Sequence, residues 1–157
     1  MPVLAYLADT NVISDCFRQA EPVCIWFEKH RGEVGISTVT LAEIRRGIEL
    51  KPEGKSRRQL ERHDDFLLED YREAIFPFDE LAAAEWGRLM ASQREHLPPY
   101  DDSLIGAIAR SQDLVVVTRN AKDFPGNKTI KEKAGLRRPS LNRLVAPLTS
   151  SRECRVP

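Results

Sequence analysis

The sequence of 157 residues predicts an α/β domain in which helices cover both faces of a mainly parallel sheet. Two nearly continuous apolar runs, Val3 to Ala8 and Leu114 to Val117, have the β-compatible composition of strands that are buried on both sides. Segments with helical spacing of apolar residues lie between these runs. Strands that alternate with helices in this way imply parallel pairing.

The first half of the chain predicts two strands and four helices. Asp9 ends the first strand, and Pro22 suits the first turn of the second helix. Thr38 or Thr40 can cap the third helix, which the Pro52–Gly54 turn ends. In chain order the elements are a strand over 3–8, helices over about 12–17 and 23–29, a strand over 34–37, and helices over about 40–50 and 55–68.

The second half predicts an edge strand, two helices and a buried strand. The segment 74–78 is assigned to an edge because Pro77 cannot donate a hydrogen bond to a neighbouring strand. Asp79 is expected to cap a long helix that ends before Pro98, and the pair Asp101–Asp102 opens the next helix. The second apolar run then forms the last strand.

The bulk composition excludes several classes of protein. Hydrophobic residues at 41% and charged residues at 31% describe a folded soluble domain, and no apolar run reaches the length of a membrane span. The apolar start lacks the basic segment of a signal peptide, so we expect a cytoplasmic protein with no membrane partner. The three cysteines form no CxxC pair and the three histidines are far apart, which argues against a zinc site.

The charge is balanced overall but not along the chain. Lys+Arg and Asp+Glu both number 24, so the formal net charge is +0. Between Arg45 and Arg62, however, seven bases stand against three acids, which fits either solvated helix faces or a phosphate-binding surface. The candidate contacts to a nucleic-acid backbone in this block are Arg45, Arg46, Arg57 and Arg58.

Acidic side chains collect where the predicted strands end, which is the edge of a parallel α/β sheet where ligands bind. Asp9 follows the first strand, Glu43 lies near the start of the helix after the second strand, and Asp123 follows the last strand. Asp101 and Asp102 begin the helix that leads into that last strand. Clustered carboxylates raise one another's pKa values unless a cation binds, and all-oxygen ligands select Mg2+ or Mn2+ over zinc. Such an ion would suit hydrolysis of a phosphodiester.

Each acid also has an ordinary structural interpretation. Asp9 and either member of the 101–102 pair can simply cap a helix or complement its dipole. Glu43 can be a solvated helix residue, and Asp123 a turn residue. Only the order of these acids along the chain makes the pattern specific.

Four segments resemble the motifs of the PIN-domain family, and in particular its VapC-type toxins of the FitB-like branch. The segments are 7–14 (LADTNVIS), 37–48 (STVTLAEIRRGI), 102–107 (DSLIGA) and 114–124 (LVVVTRNAKDF). They follow the family's order and cover the chain from about residue 4 to 125.

The resemblance implies a three-layer α/β/α sandwich around a four- to five-stranded, mainly parallel sheet. It also implies an Mg2+- or Mn2+-dependent ribonuclease that acts as the toxin of a toxin–antitoxin pair. Such a protein would form a homodimer and a larger hetero-oligomer with a small antitoxin protein. The antitoxin is expected to insert an Arg near the acid cluster, because a planar guanidinium can bind carboxylates in place of a metal.

The motifs also assign roles to residues. They place the metal ligands at Asp9, Glu43 and Asp102, and they select Asp102 over Asp101, which helical periodicity alone could not do. Asp123 is the fourth catalytic candidate, because the residue at 120 is Asn where other branches of the family have Asp. The candidate substrate-binding residues are the polar neighbours of these acids: Thr10, Asn11, Thr118, Arg119 and Asn120.

The chain after Pro125 departs from the family pattern. It lacks the usual short hydrophobic closing strand, and it continues a second basic stretch that runs from Lys122 to Arg143. We therefore predict a nuclease domain over 1–125 and a basic, poorly ordered tail over 126–157.

Other classes of protein stay open. A receiver-type signalling domain also has acids at strand ends, but it needs a paired acid at its first strand and an aspartate after a middle strand. The chain has neither. A PIN-like scaffold that binds RNA or protein without catalysis is disfavoured by the presence of Asp9, Glu43 and Asp102. A nuclease for structured DNA would share the same metal chemistry but usually carries more acids.

Overall fold

A computed structural model describes residues 3–131, which contain five strands and six α-helices. The strands are β1 (Tyr6–Ala8), β2 (Val34–Ser37), β3 (Ile75–Phe76), β4 (Val115–Thr118) and β5 (Thr129–Lys131). The helices are α1 (Thr10–Phe17), α2 (Glu21–Lys29), α3 (Thr38–Glu49), α4 (Lys55–Asp70), α5 (Glu80–Ser92) and α6 (Tyr100–Ser111). Within this range no helix is long and apolar enough to cross a membrane.

The strands form a single parallel sheet in the order β3-β2-β1-β4-β5. Tyr6 pairs with Val34 of β2 on one side and with Val115 of β4 on the other, so β1 is central. The chain builds the sheet outward from β1 to β3 and then returns to start β4 on the opposite side. The carboxyl ends of β1 and β4 therefore flank the topological switch point, where open α/β sheets bind their ligands.

Two apolar cores lie on opposite faces of the sheet, which confirms the predicted three-layer α/β/α class. Leu7 and Ala8 are both fully buried, but they point to opposite faces because side chains alternate along a strand. Ala8 packs in a core with residues of α1, α2, α3 and α4, among them Ile44. Leu7 packs in a core with residues of α5 and α6, among them Ile105.

Helix starts follow the sequence prediction at one place and depart from it at another. Asp79 caps α5 as expected, since its Oδ1 accepts a hydrogen bond from the Ala82 amide at 2.9 Å. The expected cap of α3 by Thr38 or Thr40 is wrong. Ser37 is the N-cap, because its Oγ accepts from the Thr40 amide at 2.9 Å.

The expectation that no closing strand follows Pro125 is also wrong. Residues Thr129–Lys131 form β5 and pair in parallel with β4. The Asn127 side chain ties the same segment to α6 by donating to the Gly106 carbonyl at 2.8 Å. The pattern was missed because a three-residue strand that pairs along one edge needs no long hydrophobic run. The tail predicted beyond it, from 132 to 157, lies outside the described residues.

Candidate active site

The four candidate acids lie at the carboxyl edge of the sheet and come from four different parts of the fold. Asp9 directly follows β1, and Glu43 lies in the second turn of α3. Asp102 lies in the first turn of α6, and Asp123 ends a short 3-10 turn after β4. The charges of Asp9, Asp123 and Glu43 all contribute to the raised pKa of Asp102, so the four carboxylates lie within electrostatic range of one another.

Asp9 is almost completely buried, with 2% of its surface exposed. Burial raises the pKa of its carboxyl, and a hydrogen bond from Thr118 is the largest opposing effect. The Thr118 Oγ1 donates this bond at 2.8 Å and is itself fully buried. Asp9 occupies the N-cap position of α1 without making a capping hydrogen bond. The Thr10 backbone amide and the Asn11 side chain also lower the pKa of Asp9, by less than Thr118 does.

Glu43 is half-buried and is held by the residue after Asp9. The Thr10 hydroxyl donates a short hydrogen bond to its carboxylate. Burial raises the pKa of Glu43, the bond from Thr10 opposes this, and the negative charges of Asp101 and Asp9 add to the increase.

Asp102 has the most strongly raised pKa of the group. Burial, followed by the charges of Asp9, Asp123 and Glu43, raises the pKa of Asp102 to about 7. Its neighbour Asp101 is exposed on the same turn of α6. The structure thus distinguishes two adjacent aspartates that the helical pattern could not, and it places Asp102 among the other acids.

The turn after β4 links Asp9 to Asp123. Thr118 donates to Asp9, and its oxygen accepts from the Asn120 amide at 3.0 Å. The Asn120 side chain donates a hydrogen bond to Asp123. Asn120, at the position where related branches carry an acid, therefore positions the acid three residues later.

Arg119 is fixed to α1 by a residue that the sequence analysis did not select. Its Nε lies 3.1 Å from Asp15 Oδ2, and its amide lies 3.5 Å from Asn11 Oδ1. Asp15 is only 8% exposed, although nothing in its sequence neighbourhood separates it from a solvated helix acid. Its partner is more than a hundred residues away, so the pair depends on tertiary contact.

Two of the four basic residues proposed for the nucleic-acid backbone are already paired with acids. Arg57 bonds to Glu61 at 2.9 Å and Glu49 at 3.0 Å. Arg45 bonds to the buried Asp64 at 2.9 Å and so joins α3 to α4.

The other two basic residues differ from this pair. Arg46 and Arg58 are exposed and form no ion pair with residues 3–131. Of the four, these two have the charge most available to a phosphate.

The donor set at the carboxyl edge consists of carboxylate, hydroxyl and amide oxygens, which are the ligands that Mg2+ and Mn2+ prefer. Across residues 3–131, no three His, Cys, Asp or Glu side chains are drawn together tightly enough to form a complete metal-binding group. Neighbouring carboxylates repel one another when no cation is between them. Hydrogen bonds to Thr118 and Thr10 also engage two of the acids. The chemistry of this donor set fits a divalent cation.

The family model described as PIN domain matches residues 6–126 of the chain. The chain belongs to the PIN-domain family. The match spans β1 to the turn after β4 and includes all four candidate acids.

Individual PIN-domain relatives agree with this assignment. The chain is 35% identical over 124 residues to toxin FitB of Neisseria gonorrhoeae, covering 75% of this chain and 89% of that protein. It is 30% identical over 127 residues to ribonuclease VapC2 of Haemophilus influenzae, covering 78% and 91%. Among solved structures, FitAB bound to a DNA fragment superposes with a TM-score of 0.73 at 30% identity, covering 81% of this chain and 94% of that chain.

Proposed function

We propose that this PIN-domain protein is a divalent-metal-dependent ribonuclease and the toxin of a toxin–antitoxin pair. One observation carries the chemistry. Carboxylates from four separate elements lie at the switch point of the sheet, where burial, followed by the negative charges of the other acids, raises the pKa of Asp102 to about 7. A fold that gathers mutually repelling acids at its ligand-binding edge gains stability when a cation binds there.

Asp9, Glu43 and Asp102 would hold Mg2+ or Mn2+, with Asp123 beside them. When bound, the ion supplies positive charge that offsets the negative charge developing on a phosphodiester as it is hydrolysed. Fully ionised acids would favour binding of the ion, because a protonated carboxyl loses most of its attraction for a cation.

The polar neighbours of the acids divide into two groups. Thr118 donates to Asp9 and is fully buried, so we assign it to holding that acid and withdraw it as a substrate contact. Thr10 and Asn120 likewise donate to acids. The Asn11 side chain also hydrogen-bonds to Asp9, whereas Arg119 is exposed. We retain both as contacts to RNA.

The substrate and the partner are inferred from the relatives. Similarity to a ribonuclease VapC2 and to a toxin FitB supports RNA as the substrate and a toxin role. We propose that a small antitoxin lies along α3 and α4 and directs an Arg toward Asp9, Glu43 and Asp102. The acids would accept a guanidinium for the same electrostatic reason that they accept a metal.

The test is cleavage of a labelled RNA by the purified protein with Mg2+ or Mn2+, with and without EDTA. We expect Asp9→Asn, Glu43→Gln and Asp102→Asn each to reduce cleavage by about a hundredfold or more, because each removes a ligand charge. Asp101→Asn is the matched control and should have a smaller effect, since it removes one charge from the same turn of α6 at an exposed position whose charge reaches Glu43. Full activity in EDTA, or equal loss in Asp101→Asn and Asp102→Asn, would contradict the proposal.

A further inference from the structure

A continuous row of hydroxyl groups leads from the end of β2 to the Glu43 carboxylate. Ser37 Oγ lies 3.0 Å from Thr40 Oγ1, and Thr40 Oγ1 lies 3.3 Å from Thr10 Oγ1. Thr10 in turn donates to Glu43. Ser37 and Thr40 are fully buried, so water does not compete with the bond between them. Neither residue was selected as part of the site from the sequence.

The Thr10 hydroxyl lies within hydrogen-bond distance of two acceptors, the Glu43 carboxylate and Thr40 Oγ1, and it is placed to donate to either. A hydroxyl carries one proton, and an ionised carboxylate is the stronger acceptor, so the proton lies toward Glu43. Thr40 Oγ1 is held in turn by Ser37 Oγ, which also accepts from the Thr40 amide at 2.9 Å. The Thr10 hydroxyl is thus confined between the acid and the Ser37–Thr40 pair.

We propose that Ser37 and Thr40 are positioning residues that fix the Thr10 hydroxyl on Glu43 and thereby hold that carboxylate in place for a metal ion. The inference rests on the proposed metal-dependent function and adds two residues to it. The backbone of α3 anchors the row, because the same Ser37 that caps the helix begins the row.

Two substitutions at Thr40 distinguish the effect of its hydroxyl group from the effect of its side-chain volume. Thr40→Val replaces the hydroxyl by a methyl group of similar size and interrupts the row, whereas Thr40→Ser keeps the hydroxyl. Thr38→Val is the matched control, since Thr38 is an exposed threonine in the first turn of the same helix. Loss of a residue that orients a metal ligand typically weakens metal binding by about ten- to a hundredfold.

We would measure Mn2+ affinity by titration and, in the metal-free protein, the three-bond couplings to the Thr10 methyl group, which report its side-chain rotamer. We expect one Thr10 rotamer in the wild type, in Thr40→Ser and in Thr38→Val, but averaged couplings in Thr40→Val. We also expect Mn2+ binding to be about tenfold weaker in Thr40→Val and close to wild type in the other two variants. Unchanged Thr10 couplings in a folded Thr40→Val protein would overturn the proposal, as would unchanged Mn2+ affinity.

A second variant covers the case in which Thr40→Val does not fold. Ser37→Ala interrupts the row at its start, and Asp79→Ala removes a cap of the same 2.9 Å geometry from α5, where no hydroxyl row exists. Averaged Thr10 couplings in Ser37→Ala but not in Asp79→Ala would support the proposal that the row fixes the Thr10 hydroxyl. Equal Thr10 couplings in the two variants would overturn it. If the wild type itself binds no Mn2+, the proposed metal dependence fails, and the Thr10 couplings still decide whether the row exists.

Discussion

Asp102→Asn is expected to stabilise the metal-free protein in a pH-dependent way. The pKa of Asp102 rises from 3.8 to about 7 on folding, so the ionised carboxyl is less favourable in the folded than in the unfolded chain. For a group with a raised folded pKa, the favourable contribution is complete below pH 3.8 and is lost as the pH rises toward about 7. Above that range the ionised side chain destabilises the fold, and the neutral amide does not.

The size of the effect follows from the shift. About three pKa units at 1.36 kcal/mol per unit give a ceiling of about 4 kcal/mol. Asp102 is only half-buried and solvent screens its charge, so we expect about 1–2 kcal/mol. Part of this difference reflects Asp9 and Glu43, which lose a negative neighbour in the variant.

The assay measures the free energy of unfolding by urea, in EDTA, at several pH values between about 4 and about 8. The free energy of unfolding of Asp102→Asn should exceed that of the wild type by an amount that grows with pH. Asp101→Asn removes a charge from the same helix start and should show a much smaller growth, because Asp101 is exposed and its charge contributes least to the raised pKa of Asp102. The comparison separates the buried cluster from a general dipole effect. Added Mg2+ should then stabilise the wild type more than Asp102→Asn. A difference between Asp102→Asn and the wild type that stays constant with pH would refute this reasoning.

Three further predictions follow from the contacts. Arg58→Ala should weaken RNA binding and reduce the slope of log affinity against log salt concentration by about 0.7. Arg57→Ala should leave this slope unchanged, because Arg57 is already paired with acids. Fluorescence titration at several salt concentrations measures both slopes. Ser103→Ala should lower the free energy of unfolding by about 1–2 kcal/mol, because it removes the oxygen that accepts a hydrogen bond from Trp86 Nε1 at 2.9 Å. Ser111→Ala on the same helix should lower it by less in the same denaturation assay. Raising Mg2+ should weaken inhibition by the antitoxin in an RNA cleavage assay if an inserted Arg and the metal compete for the acids; an inhibition constant independent of Mg2+ would place the block elsewhere.

Much of the fold could be predicted because apolar runs and proline positions can be read directly from the sequence. The apolar runs before Asp9 and Arg119 predicted buried strands, and both contain one. The first strand is shorter than predicted, because only Tyr6–Ala8 of the run 3–8 pairs in the sheet and Val3 is exposed. Pro77 next to a short apolar segment indicated an edge strand, and β3 does lie at an edge. The strand β5 could not be found in this way, because its three residues owe their conformation to pairing with β4 and not to their own composition.

The sequence by itself determined which acids are available and that they follow strand ends, because residue type and order along the chain are local facts. Only the tertiary structure decided what each group does. It brought Thr118 to Asp9 across more than a hundred residues, and it paired Arg119 with Asp15. It also raised the pKa of Asp102 to about 7, although the exposed Asp101 is identical in type and adjacent in sequence. The physical reason is that burial and electrostatic coupling depend on distances through space, which spacing along the chain does not specify.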